Sequence, residues 1–308
     1  MVIIPAHNVE KYVEDCINSV ISQKTKYSFA IFIVENGSTD NTKEILRQYE
    51  DKDNVFCISM EKGDLASARN YVLSNIVGKY VMFVDSDDML QQGAIEALLD
   101  KAYSFDADIV EGNVERINNK GEVLKCSNFA ESMTPEDCVK NLRGQTWAKV
   151  MKAELWNNLI FPENYYYEDS VLSYCIYPFI EKKYRVSEVV YKYRYNTDGI
   201  TVRSKSNYRS IESYWLSMFL WHYLLSRKTI DNDIFNQLLV QVALNQSRVE
   251  NLDIEVQKSI FSEMVRYFEE LGYNSKKCLD KKKKLLLKSL SERKFKMYCV
   301  ICKYWAFL

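Results

Sequence analysis

Short apolar runs alternate with helically spaced apolar stripes from Val2 to Val114, and few architectures accept that alternation. Val2–Ile4, Phe29–Val34, Val55–Ser59, Tyr80–Val84 and Asp108–Val114 read as strands, the first ended by Pro5. Between them, Val9, Tyr12, Val13, Cys16, Ile17, Val20 and Ile21 fall on one helical face, with Asn8 as the expected N-cap. Asp40–Tyr49, Ala66–Ser74 and Ala94–Tyr103 read as the next helices. Strand and helix in regular succession predict an α/β fold with a mostly parallel sheet and right-handed crossovers.

The fourth strand runs directly into Asp85-Ser86-Asp87-Asp88. A parallel sheet binds its ligands beyond the carboxyl ends of its strands, where these acids would emerge. Clustered carboxylates repel one another unless a cation lies among them, and Mg²⁺ or Mn²⁺ prefers such oxygens. A polar turn with Asp88 capping the next helix explains the same residues equally well. A dinucleotide-binding fold would need Gly-x-Gly-x-x-Gly after the first strand, where the chain has Pro5-Ala6-His7-Asn8, and no phosphate-cradling P-loop is present.

Four blocks in order resemble family 2 glycosyltransferases of the GT-A, nucleotide-sugar-binding fold. They are Ile3-Ile4-Pro5-Ala6-His7-Asn8, Val34-Glu35-Asn36-Gly37-Ser38-Thr39-Asp40, Gly63-Asp64-Leu65-Ala66-Ser67-Ala68-Arg69-Asn70 and Asp85-Ser86-Asp87-Asp88. Weaker echoes continue through Trp147-Ala148-Lys149 and Glu168-Asp169 to about Arg203. The resemblance implies a donor site drawing on Pro5, Asn8, Glu35, Asn36, Arg69, Asp85, Ser86, Lys149 and Arg203. It implies that Asp87 and Asp85 bind Mn²⁺ or Mg²⁺ and that Asp169 is the catalytic base. The family more often has two acids where Glu35-Asn36 stands; an Asn carbonyl can still accept a uracil N3–H. Arg69 resembles an arginine near the base and phosphates; the plain alternative is a salt bridge to Asp64 or Glu61. Arg203 and Lys205 are placed to clamp the diphosphate, or form a solvated surface pair.

The resemblance thus implies an inverting transfer from a nucleotide-diphosphate sugar, UDP by expectation, to a hydroxyl of a glycan or lipid-linked acceptor in surface polysaccharide or glycolipid synthesis. Two rivals are a nucleotidyltransferase, which lacks its glycine-rich triphosphate loop here, and a non-catalytic nucleotide or sugar binder, which has no need of Asp169.

The GT-A domain is expected over residues 1–205 and a helical region over 206–308. In that region Ile211, Tyr214, Trp215, Met218 and Phe219 form a stripe expected to face the core, with His222 packed among it. Residues 276–308 carry eleven Lys and Arg against two acids in a chain of net charge -1, with Leu290, Met297, Ile301 and Tyr304 near helical spacing. A basic amphipathic tail of this kind suits an anionic membrane surface. The overall charge gives no sign of nucleic-acid binding. Two histidines leave little for a His-based hydrolase or metal site, and Cys299 and Cys302 form a CxxC without a second pair. With no secretory signal and no apolar run long enough to span a bilayer, the eight cysteines read as reduced thiols of a cytoplasmic protein, peripheral on the inner membrane face.

Overall fold

The computed structural model describes residues 1–61, 63–134, 144–196, 199, 207–227, 231–278 and 280–305. The chain divides into two compact units, Met1–Asn164 with Glu168–Thr197, and Tyr165–Tyr167 with Asp198–Leu308.

The first unit is built on a nine-stranded sheet. Its strands are β1 Val2–Ala6, β2 Ile31–Asn36, β3 Val55–Met60, β4 Tyr80–Phe83, β5 Met89–Leu90, β6 Ile109–Ile117, β7 Val123–Cys126, β8 Lys149–Lys152 and β9 Lys183–Arg194. The order is β3-β2-β1-β4-β8-β6-β9-β5, with β7 beside β6. The strands from β3 to β4 pair in parallel, as the alternation predicts. Beyond β4 the sheet is mixed: β8 runs antiparallel between β4 and β6, and β6 is parallel to β9. Pro5 does not end β1; it pairs with Val34 inside the ladder.

Among the described residues of this unit the α-helices are α1 Val13–Ile21, α2 Thr42–Arg47, α3 Leu65–Leu73 and α4 Ala94–Ser104. Val13, Cys16, Ile17 and Val20 of α1 are buried, so the helical stripe is read correctly. Its start is not. Asn8 lies in the left-handed region at φ 52 with its side-chain Oδ1 accepting from the Thr39 N–H at 2.7 Å, and α1 begins after Tyr12, which makes no side-chain capping bond. Asp64 caps α3 reciprocally with Ser67, a full capping box. The register of β6 on β9 shifts beside Gly112, where a Cβ would stand 2.5 Å from Val190 Cγ1, so only glycine fits this close approach.

The second unit contains α5 Glu212–Arg227, α6 Asn232–Val249, α7 Ile254–Leu271, α8 Lys281–Ser291 and α9 Phe295–Trp305. The stripe expected to face its core does so only in part. Tyr214 is buried, but Trp215 and Phe219 are 59% and 72% exposed and His222 is exposed. The inward face of α5 is instead Tyr214, Leu216, Leu220, Trp221 and Leu224, with Ser213 and Ser217 among them, and Ser217 Oγ accepts from Asn245 of α6 at 3.0 Å. The basic tail is two helices rather than one. Arg293, at φ 52, breaks them, and its N–H returns to the Leu290 carbonyl at 2.9 Å. Leu286, Leu287, Leu290 and Tyr298 are buried within the unit, Met297 and Ile301 are half-buried, and Leu285 and Tyr304 are exposed, so part of the apolar face assigned to a membrane is packed protein. No helix of the described residues is long and apolar enough to cross a membrane. The seven cysteines among the described residues are unbridged.

Candidate active site

The loops at the carboxyl ends of β1, β2 and β4 converge with α3 and the turn at Glu168. Glu35, next to last in β2, is buried, accepting from Ser38 N–H at 2.5 Å and Ser59 Oγ at 3.2 Å, and so shapes the turn that follows. Asn36 is 3% exposed; its Nδ2 donates to the Asp64 carbonyl at 2.8 Å, while its Oδ1 is buried without a partner. Gly63 packs close to that oxygen: a Cβ there would lie 2.7 Å from Asn36 Oδ1. Asn8 donates its N–H to Ser38 Oγ at 3.1 Å and joins the β1 and β2 turns; Pro5 is buried behind them.

Asp85 follows β4 with its N–H on the Tyr191 hydroxyl at 3.0 Å. Ser86 is buried. Burial, with the charge of Asp85 adding to it, pushes the Asp87 carboxyl up to about 6. Asp88 is not a helix cap, since α4 begins at Ala94 after Gly93. It is 1% exposed and accepts the Arg194 N–H at 2.7 Å, and burial followed by its acidic neighbours raises it well above the usual carboxylate range. Arg194, which the sequence did not single out, supports the whole loop. Its Nε donates to the Asp87 carbonyl at 3.0 Å and its guanidinium pairs with Asp15 at 3.1 Å.

Arg69 is 2% exposed and pairs with neither Asp64 nor Glu61. Its two terminal nitrogens reach Asp85 Oδ1 at 2.9 Å and Glu168 Oε1 at 2.6 Å, and its guanidinium lies 5.2 Å from the Phe161 ring centre. One fork therefore joins the acid after β4 to the acid beside Asp169. Burial pushes Glu168 up to about 7 against the pull of Arg69, and the charge of Asp169 adds to the rise.

Lys149 departs from expectation. It is fully buried, donates to the Tyr177 hydroxyl at 2.9 Å and pairs with Glu111 at 3.5 Å, so its ammonium serves the interior of the sheet rather than a donor. Trp147 beside it stacks on Tyr191 and Tyr193, ring centres 4.7 and 5.3 Å apart. Arg203 and Lys205 lie outside the described residues. Among the described residues, no group of three or more His, Cys, Asp or Glu is arranged to hold a metal ion.

Residues 1–159 match the family profile described as Glycosyl transferase family 2. The chain is 32% identical over 209 residues to glycosyltransferase GlyA of Streptococcus pneumoniae serotype 4, covering 63% of this chain and 30% of that one. It is 32% identical over 173 residues to Staphylococcus aureus TarS, named a poly(ribitol-phosphate) beta-N-acetylglucosaminyltransferase, covering 53% of this chain and 29% of that one. It thus spans less than a third of the length of either relative. The crystal structure of S. aureus TarS 1–349 in complex with UDP-GlcNAc shares its fold, with a TM-score of 0.74 at 18% identity, covering 99% of this chain and 91% of that chain. Since the family profile extends over more than half of the sequence, from β1 through the Asp85 loop and beyond, the chain belongs to glycosyl transferase family 2.

Proposed function

We propose that this chain transfers a sugar from a UDP-sugar to a hydroxyl of a glycan or lipid-linked acceptor in surface polymer synthesis, with inversion at the anomeric carbon. The observation that carries the reading is the Arg69 fork, which holds Asp85 and Glu168, and so the donor acids and the base turn, to one guanidinium. Asn36 supports the choice of base. With Nδ2 committed to Asp64, only its carbonyl oxygen is free, and that oxygen suits the N3–H of uracil but opposes the N3 acceptor of cytosine. The name of TarS supports a polyol-phosphate or glycan hydroxyl as acceptor.

Asp169 takes the acceptor hydroxyl proton as the new C–O bond forms, and the bond to the diphosphate oxygen breaks on the opposite face, its electron pair leaving with UDP. Asp85 and Asp87 are the residues that would hold Mn²⁺ or Mg²⁺. Their oxygens suit a hard cation, and the Asp87 carboxyl, raised by burial and then by the charge of Asp85, has a charged form that a cation would stabilise, while Asp88 is turned onto Arg194. When bound, such a cation neutralises charge on the departing diphosphate. Arg69 fixes the orientation of Asp85, and Arg194 fixes the backbone of Asp87.

Nucleotide release from UDP-, GDP- and CDP-sugars tests donor and metal together. We expect release of UDP from one UDP-sugar, abolished by chelator and restored by Mn²⁺ or Mg²⁺. A preferred CDP donor overturns the reading of Asn36; turnover in chelator overturns the metal role of Asp87.

The same reading puts the enzyme at the inner face of the cytoplasmic membrane. Lys281, Lys282, Lys284 and Lys288 are exposed on α8 beside Leu285, and Val300 and Tyr304 are exposed on α9. Each lysine near an anionic surface adds ~1 kcal/mol of attraction. The full chain is expected to sediment with anionic but not neutral vesicles at low salt, and the variant with all four lysines replaced by glutamine to remain in solution. Equal recovery of both proteins in solution removes the membrane from the reading.

A further inference from the structure

The three tyrosines before the proposed base do not belong to the unit that carries it. Tyr165–Tyr167 groups with the helices, and the first unit resumes at Glu168. The Tyr166 N–H donates to Glu212 Oε2 at 2.7 Å, and its ring lies 4.0 Å from the guanidinium of Arg209, which Glu212 also holds at 2.7 Å. The Tyr167 ring lies 3.7 Å from the guanidinium of Arg248, whose Nη1 donates to Asn245 Oδ1 at 3.4 Å. An arginine against an aromatic face at these distances is an attractive, directional contact.

The backbone is left-handed on both sides of this segment, at Asn164 (φ 65) and at Tyr167 (φ 66). Asparagine tolerates that region. A tyrosine does not, because its Cβ crowds the neighbouring carbonyl, so the conformation persists only where the surroundings impose it. The Asp64 carboxylate fixes the first end by accepting the Asn164 N–H. At the second end, the left-handed residue is bonded directly to Glu168, whose carboxylate holds Arg69, and Asp169 comes next. The clamped segment is thus bonded directly to the turn that carries both acids.

We propose that Arg209 and Arg248, closing on Tyr166 and Tyr167, form a clamp that aims the Glu168-Asp169 turn, giving the helical region a part in the transfer reaction. The clamp lies wholly within the second unit, and the Tyr167–Glu168 peptide bond transmits its effect. Its members are positioning residues and touch no substrate. The proposal rests on Asp169 being the base.

Full-length Arg248→Gln, Tyr167→Leu and Tyr167→Phe test it through kcat, donor KM and thermal unfolding, each also made in an Asp169→Asn background. A base displaced by about 1 Å can lose as much as 10²-fold in rate. Arg248→Gln and Tyr167→Leu are therefore expected to lower kcat by ten- to a hundredfold, with donor KM and melting temperature unchanged. Tyr167→Phe keeps the ring and is expected to keep turnover. In the Asp169→Asn background the same changes should have no further effect, because a clamp acting through the base has nothing left to act on. Should Arg248→Gln fold poorly, Arg209→Gln on the more exposed side of the clamp makes the same test. Wild-type kcat in the clamp variants, losses that track unfolding, or losses that multiply with Asp169→Asn each overturn the clamp. A fully active Asp169→Asn overturns the base assignment itself and is read from that variant alone.

Discussion

Asp169→Asn is expected to lower kcat by roughly 10²–10⁴-fold, the usual loss when a positioned general base is removed. The amide keeps the shape and most of the hydrogen bonding of the carboxylate but cannot take a proton. Asp169 is half-buried in the turn that leads into the apolar run Val171–Ile176, and its carbonyl accepts the Leu172 N–H at 3.0 Å. The side-chain change leaves that backbone bond intact. Donor binding by calorimetry should therefore be nearly unchanged, whereas Asp87→Ala should weaken metal-dependent donor binding. Wild-type turnover by Asp169→Asn would move the base elsewhere, first to Glu168. Glu168→Gln would then be the decisive variant, read with care because the Glu168 carboxylate also holds Arg69 at 2.6 Å.

Arg69→Met carries the largest expected loss of stability. The guanidinium is 2% exposed, between Asp85 and Glu168, with the Phe83 and Phe161 rings near its face. Methionine keeps much of the apolar contact but leaves two carboxylates facing each other's charge without a counterion. Breaking a buried pair from one side typically costs about 3–5 kcal/mol. Urea unfolding at two pH values tests the cause. Glu168 is held up at about 7 in the folded protein against an ordinary 4.5. Its proton is thus bound more tightly in the folded than in the unfolded chain, and ionisation opposes folding as pH rises through this range. Removal of Arg69 strengthens that opposition, so the variant should lose more stability at pH 8 than at pH 5. An equal loss at both would assign it to packing instead. Arg69→Lys should fall between, since one ammonium cannot reproduce a fork that reaches two partners.

The first third of the chain was legible because its signals are local. Apolar runs gave β1 to β4, and helical stripes gave α1, α3 and α4, within a residue or two except at the α1 start. Misreadings cluster where a partner is remote. Asp88 looks like a helix cap until Arg194 arrives from β9 to occupy its carboxylate. Lys149 looks like a ligand contact until Glu111 and Tyr177 enclose it. Asn8 does not cap α1; its side-chain Oδ1 accepts from Thr39, in the next turn. The face of α5 was misassigned for another reason. The stripe read from the sequence took the wrong side of the helix: the buried face is Tyr214, Leu216, Leu220, Trp221 and Leu224 with Ser213 and Ser217 between them, and Trp215 and Phe219 fall outside it. The clamp tyrosines gave no sequence signal, since Tyr165-Tyr166-Tyr167 reads equally well as core or surface, and Arg209 and Arg248 are far along the chain.

The sheet order also has a consequence for how the chain comes into being. β1, β2 and β3 lie side by side, each joined to the next by a single helical crossover, so the first half of the sheet can close while synthesis continues. The Asp85 loop cannot. Its N–H partner Tyr191, and the Arg194 N–H on Asp88, each arrive 106 residues later. Arg69 can reach Asp85 and β8 can cover β4 before β9 leaves the ribosome, but until then the bonds from the Tyr191 hydroxyl and the Arg194 N–H to this loop are unmade. Donor binding should therefore appear late and abruptly during synthesis, and slow pairing of β9 is where a nascent chain is most exposed to misassembly.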